Sequence, residues 1–260
     1  MKPLWVIQEN LNNDDQELLP ILDRLQIPYK MIQIIPFSDS IPDVEYDGPI
    51  IARGSTTTLR GTEKKSWKPG VWHNDNFKPS VYLENYKHLY LNREGVVCPL
   101  NRTGFHKWDS EHMFVRPNSD YKEFTGGMMT EREIGKIAHG AALKQYPFGP
   151  DLELFVAPGL TIMDEARFIV AGGKVISGTF YRFDRSLKRE KPATQDFTDF
   201  AVKCASLWGP ADVYALDIGR TKQNEYGVIE CNCFNASGLY GDVERVVREV
   251  TDFVEMSYGK

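Results

Sequence analysis

Two apolar runs near the C-terminus, Asp212 to Ile218 and Tyr226 to Cys231, flank the polar, turn-forming stretch Gly219 to Glu225. This spacing constrains the fold more than any other part of the chain. Both runs read as strands and the stretch between them as the turn of a hairpin. Side chains alternate along a strand, so Glu230 and Asn232 share one face while Cys231 and Cys233 take the other. The hairpin sets Asp217 beside the Glu230/Asn232 pair. Two carboxylates and an amide oxygen are hard donors of the kind Mg²⁺ takes, with waters and phosphate oxygens completing its shell. An exposed polar sheet face meets the same spacing, so both readings stand at this point.

Bulk properties narrow the classes. The chain has 260 residues, 42% hydrophobic and 26% charged, enough to bury a sizeable core in one or two domains. A net charge of −5 argues against a general nucleic-acid binder. Its apolar runs fall short of the roughly 20 residues needed to span a bilayer. The start, Met1 to Asn10, lacks a signal-peptide core, so a soluble cytoplasmic protein is expected. The four cysteines (Cys98, Cys204, Cys231 and Cys233) form neither a disulfide nor a zinc framework. Cys231 and Cys233 are expected to pack inward. Nothing in the sequence sets an oligomeric state.

The N-terminal part reads strand–helix–strand: residues 4–9, a helix capped at Asp14 or Asp15 and running to about Gln26, then 29–35 and 49–53. That order predicts an α/β unit with a parallel sheet. Arg53-Gly54-Ser55 follows the third strand, where open α/β sheets bind ligands, although a capped helix start fits equally. A long loop is expected over 61–79, then a helix at 80–89 and a strand at 96–100. The pattern changes near residue 105. Strands are expected at 113–117 and 152–157, and a hairpin at 167–182 turning on Gly172-Gly173. Amphipathic helices are expected at 194–208 and 242–256.

Nucleotide chemistry needs cations on the phosphates, a donor-rich loop over them and metal ligands. Arg116 closes a strand, and Lys122 lies in the loop Asn118 to Gly127, which has no Walker pattern. A charged hairpin tip is the plainer alternative for that loop.

Four segments, in order, carry a resemblance. They are Phe114-Val115-Arg116-Pro117 with Lys122 to Gly126; Leu154 to Pro158; Asp164 to Phe168 with Gly173-Lys174-Val175 and Tyr181-Arg182; and Leu216 to Gly219 with Val228 to Asn232 and Gly238-Leu239-Tyr240. Over about residues 105 to 255 the chain resembles an ATP-grasp domain, in particular the R2K clade. The resemblance implies an α/β (α+β) fold, with a parallel-sheet domain over 1–104 ahead of a two-lobed ATP-grasp domain over 105–260, its lobes at about 105–155 and 156–260 with antiparallel sheets. It implies that Asp217, Glu230 and Asn232 hold one or two Mg²⁺ (or Mn²⁺) ions, and that Arg116 and Lys122 bind ATP phosphates. Main-chain groups at Phe155 and Val156 would read adenine, Glu165 the ribose, and Arg167 and Arg182 would face phosphate or the transferring group. Arg116 stands where relatives usually carry Lys, and Ala157 where many carry an acid. The implied activity is ATP-dependent activation of a small-molecule or peptide carboxylate as an acylphosphate, then attack by an amine or similar nucleophile, as in carbon–nitrogen ligases. A nucleotide-binding protein without turnover and a kinase-like transferase are the alternatives. Arg53, Ser55, Asn235 and Ser237 are expected to line the acceptor pocket.

Overall fold

The computed structural model describes residues 1–9, 17–35, 38, 40–105, 110–121, 123–183, 186–187 and 191–259. The N-terminal part contains β1 (Leu4–Gln8), α1 (Leu18–Arg24), β2 (Tyr29–Ile32), β3 (Ile50–Arg53), α2 (Thr56–Glu63) and β4 (Pro69–Gly70). These strands form a parallel sheet in the order β2-β1-β3-β4. Such a sheet buries both faces, as the fully buried Ile50–Arg53 shows. The second strand stops at Ile32 rather than 35, because its pairing with β1 ends at Gln8. Asp14 and Asp15 lie outside the described residues.

The stretch expected as a loop over 61–79 is more ordered. The last turn of α2 runs into it, β4 pairs with β3, and a 3-10 turn spans Asp75–Phe77. Gly61 lets α2 pack closely: a Cβ there would stand 2.4 Å from a methyl of Ile41. Next come α3 (Pro79–Tyr86), opened by proline in its first turn, and β5 (Val96–Pro99).

β5 leaves the N-terminal sheet. It pairs with β8 (Glu153–Pro158), in a sheet completed by β6 (Met113–Pro117) and β7 (Gly127–Met129) in the order β5-β8-β6-β7. Cys98 thereby joins Met113, Val115, Leu154 and Val156 in one core. Ile134 and Ala141 of α4 (Glu131–Ala142) close that core; Thr130 and Glu133 form the capping box that starts the helix.

The remaining sheet is antiparallel, in the order β11-β10-β9-β12-β13. Its strands are β9 (Ile162–Ala171), β10 (Lys174–Phe183), β11 (Ser186–Leu187), β12 (Val213–Thr221) and β13 (Tyr226–Cys233). The Gly172-Gly173 turn joins β9 to β10, with φ of 55° and 75° as a type I′ turn requires. One face packs Phe168, Leu216 and Cys231 against α3 and α5 (Gln195–Leu207). The other lays Ile169, Val213 and Ala215 under the valine stripe of α6 (Val243–Tyr258), with Trp5 and Ile7 of the N-terminal sheet in the same core. No helix among the described residues is long and apolar enough to cross a membrane.

Candidate active site

The α6-facing side of the five-stranded sheet changes character along its length. Successive same-face residues of β9 run from Ala171 and Ile169, which are core, to Arg167 and Glu165. On β12 they run from Val213 and Ala215 to Asp217 and Gly219. The apolar end lies in the core shared with α6, and the polar end carries the charges. Register does the rest: Asp217 stands opposite Glu230 on one side and Arg167 on the other, while Glu165 stands opposite Arg182. A β-bulge follows Asp217 in the hairpin with β13.

The charges are tightly paired. Asp217 is 1% exposed and takes a two-pronged contact from Arg167, with Nε and Nη2 at 2.8 and 2.7 Å. Asn232 donates from Nδ2 to Asp217 at 3.2 Å and to Glu230 at 2.9 Å, which ties the three residues into one cluster. Arg116 of β6 reaches over from the other antiparallel sheet and donates to Glu230 at 2.5 Å. The two antiparallel sheets therefore meet at this pair. Arg167 also lies 5.5 and 5.8 Å from the ring centres of Tyr240 and Tyr181, which stack on each other. Neither tyrosine's contact with Arg167 carries a sequence signal; only folding brings them together.

The field in the cluster is unbalanced. Burial, and then the charges of Asp217 and Glu230, push the Glu165 carboxyl up to about 7, with Arg182 and Arg167 offsetting part of the effect. Burial opposes the charge on Arg167, and Asp217 outweighs it, so the guanidinium stays firmly cationic. Arg116 Nη2 is buried without a hydrogen-bond partner. A buried donor left unpaired costs free energy, which an acceptor at this nitrogen would relieve. Gly126 lies against Arg116: a Cβ there would come within 2.6 Å of the arginine's own Cβ.

Both demands match a metal–phosphate group. The carboxylates crowd negative charge where a cation would relieve it, and the donor set is hard oxygen. Among the described residues no group of three or more His, Cys, Asp or Glu side chains forms a ready metal site. The set here is two carboxylates and an amide, so water or phosphate oxygens must supply the remaining ligands. The amide nitrogen of Asn232 faces the carboxylates, and ligation needs the amide turned over. Cys231 and Cys233 are buried on the opposite face, where burial raises their thiols and keeps them protonated.

Other residues expected at the site have different surroundings. Lys122 lies outside the described residues. Phe155 and Val156 are fully buried, and β8 is paired along both edges at these positions, with β5 and with β6. Arg53 is 2% exposed and donates from Nη1 to the Phe234 carbonyl at 2.7 Å and from Nη2 to that of Ser237. Asn235 is wholly buried: its Oδ1 accepts from the Trp72 N–H at 2.9 Å and its Nδ2 donates to the Ala52 carbonyl at 2.5 Å. Ser237 is buried and turns its hydroxyl to the Phe234 carbonyl. Arg53 and Asn235 tie the loop after β13 to the N-terminal sheet, and the Ser237 hydroxyl closes a turn within that loop. Ser55 is half-buried at the start of α2, where its N–H donates to the Gln8 side chain at 2.9 Å.

The family profile for the ATP-grasp domain, R2K clade family 3, matches residues 46–253. No curated protein sequence matches the chain. Solved structures do. A RimK domain protein ATP-grasp from Sphaerobacter thermophilus superposes with a TM-score of 0.64 at 12% identity, covering 97% of this chain and 99% of that one. The D-cycloserine synthetase DcsG gives 0.63 at 11%, covering 96% and 99%. The ATP-grasp ligase PsnB, complexed with minimal precursor, Mg and ADP, gives 0.52 at 13%, covering 95% and 97%. At such identities the likeness establishes a shared fold.

Proposed function

Because the chain belongs to family 3 of the R2K clade of ATP-grasp domains, we propose that it is an ATP-dependent ligase that activates a carboxylate for attack by an amine or a similar nucleophile. One observation carries the proposal. Asp217, Glu230, Glu165, Arg167, Arg182 and Arg116 converge where two antiparallel sheets meet, although they come from five different strands. The solved ligases of the same fold, one of them holding Mg and ADP, support it.

In this reading Asp217, Glu230 and Asn232 would hold Mg²⁺, which supplies charge neutralisation to the phosphate oxygens. Arg167 and Arg116 already sit on the two carboxylates. Arg116, whose Nη2 is buried without a partner, and Arg167 would bind phosphate oxygens beside that site. Arg167 would then face the transferring group, held in place by the Tyr181 and Tyr240 rings. Arg182 would neutralise the same region from β10. Glu165, whose carboxyl the charges of Asp217 and Glu230 help to push up, would hold the ribose beside the metal end. Lys122, in the loop that follows Arg116, would complete the phosphate contacts. The acceptors are a small-molecule or peptide carboxylate and an amine. We also retain a division of the chain near residue 104 as a proposal.

The test is turnover with Mg-ATP and a pool of amino acids and peptides, with hydroxylamine present. An acylphosphate yields a hydroxamate alongside ADP. ADP without hydroxamate points to a kinase-like transfer, and no ADP above the background of Glu230→Gln sinks the ligase proposal.

A further inference from the structure

The loop between β6 and β7 is tied to the N-terminal part of the chain at three places. At its base Asn118 accepts from the Ser80 N–H at 3.1 Å, at the start of α3. At its tip the Tyr121 hydroxyl donates to both oxygens of Glu63, at 3.1 and 3.0 Å. Glu63 is the last residue of α2. Its carboxylate can only accept, so His73 Nδ1, 2.6 Å away, carries the proton it shares with Glu63. The other ring nitrogen of His73 faces Asp120 at 3.9 Å, and the His73 and Tyr121 rings lie 4.5 Å apart. The Arg60 guanidinium covers the Tyr121 ring at 5.5 Å.

Glu63, His73, Arg60 and Tyr121 are not members of the charge cluster described above, whereas the charge of Asp120 reaches Arg116. We propose that Glu63, oriented by His73, is a positioning residue that latches the Asn118–Gly126 loop through Tyr121, presetting that loop for nucleotide before nucleotide arrives. The proposal rests on the reading of this loop as the phosphate-covering one. It is otherwise independent of the carboxylate cluster. A loop that must be ordered on binding weakens apparent affinity by the fraction of time it spends out of place. A latch that holds it in place removes that loss and leaves the chemical step alone.

The experiment has two readouts. The first is amide hydrogen exchange of the apo protein, comparing wild type, Tyr121→Phe, Glu63→Gln and the double variant. Each single change is expected to speed exchange across 118–125 roughly tenfold, the double variant no more than either single, with α4 and β8 unchanged. Unaltered exchange in this segment overturns the latch without any reference to nucleotide. The second readout is the split between KM for Mg-ATP and kcat. An increase in KM of roughly five- to tenfold with kcat within about twofold supports the positioning role. Faster exchange with KM unchanged overturns it. Failure of the wild type to bind Mg-ATP overturns the functional reading beneath it, and with it the positioning role, while the exchange data still decide whether the latch exists.

Discussion

Asp217→Asn separates the structural from the chemical duty of the cluster. Asp217 is 1% exposed and Arg167, its two-pronged partner, has a side chain only 13% exposed. Removing one partner of such a pair leaves a buried, uncompensated charge, at a cost of about 3–5 kcal/mol. Two features favour the low end. Asparagine keeps one acceptor for Arg167, and loss of the Asp217 charge relieves Glu165, whose carboxyl Asp217 helps to push up. About 3 kcal/mol in a chain of this size corresponds to a fall in Tm of roughly 6–12 °C. Calorimetry of the apo protein measures it, and a second scan with Mg²⁺ and a non-hydrolysable ATP analogue measures the chemical duty. The variant is expected to lose both the Tm and the ligand-induced rise that the wild type shows. A variant that melts within about 1 °C of wild type would refute the reasoning about the buried pair. One that is destabilised but still gains the full rise would refute the assignment of Asp217 to the metal.

Glu165 offers a pH signature. Its folded pKa, near 7, lies above the unfolded value of 4.5, so the folded state holds its proton more tightly. Stability on this account is greatest below pH 4.5, falls as pH rises through that interval and levels off above 7, by at most about 3 kcal/mol. Glu165→Gln is expected to flatten that segment of the Tm–pH curve, measured by calorimetry without divalent ions. Asn235→Ala strands the Trp72 N–H and the Ala52 carbonyl, both buried, and is expected to cost about 2–3 kcal/mol in urea unfolding. Because Asn235 holds a loop in place, KM for the acceptor is expected to stay within about twofold, which steady-state kinetics checks.

How much of this was legible in the sequence follows from the range of each signal. Alternation is local, so the Asp217/Glu230/Asn232 face and the opposite placement of Cys231 and Cys233 could be read directly, and the hairpin register agrees. Apolar stripes of helices α5 and α6 were readable for the same reason. Partner choice is not local. Nothing in Val96–Pro99 says that it will pair with β8, and nothing in Phe155-Val156 says that strands will flank it on both edges. Arg53 and Asn235 have the chemistry of ligand-binding groups, yet they are spent on carbonyls and an amide distant in sequence. The pairing of Arg167 with Asp217, rather than with a phosphate, likewise depends on the β9–β12 register. The start of the helix Glu131–Ala142 has a local signal as well, the Thr130/Glu133 capping box.

If the polar end of the five-stranded sheet is a Mg-nucleotide site, nucleotide binding must depend both on Mg²⁺ and on Glu230. Calorimetric titration of a non-hydrolysable ATP analogue into wild type and Glu230→Gln, each with and without Mg²⁺, tests it most directly. Glu230 is less buried than Asp217, so this variant is expected to fold. Binding to wild type is expected to require Mg²⁺ and to weaken by roughly tenfold or more in the variant. Equal affinity in all four titrations, or no binding by the wild type, would contradict it.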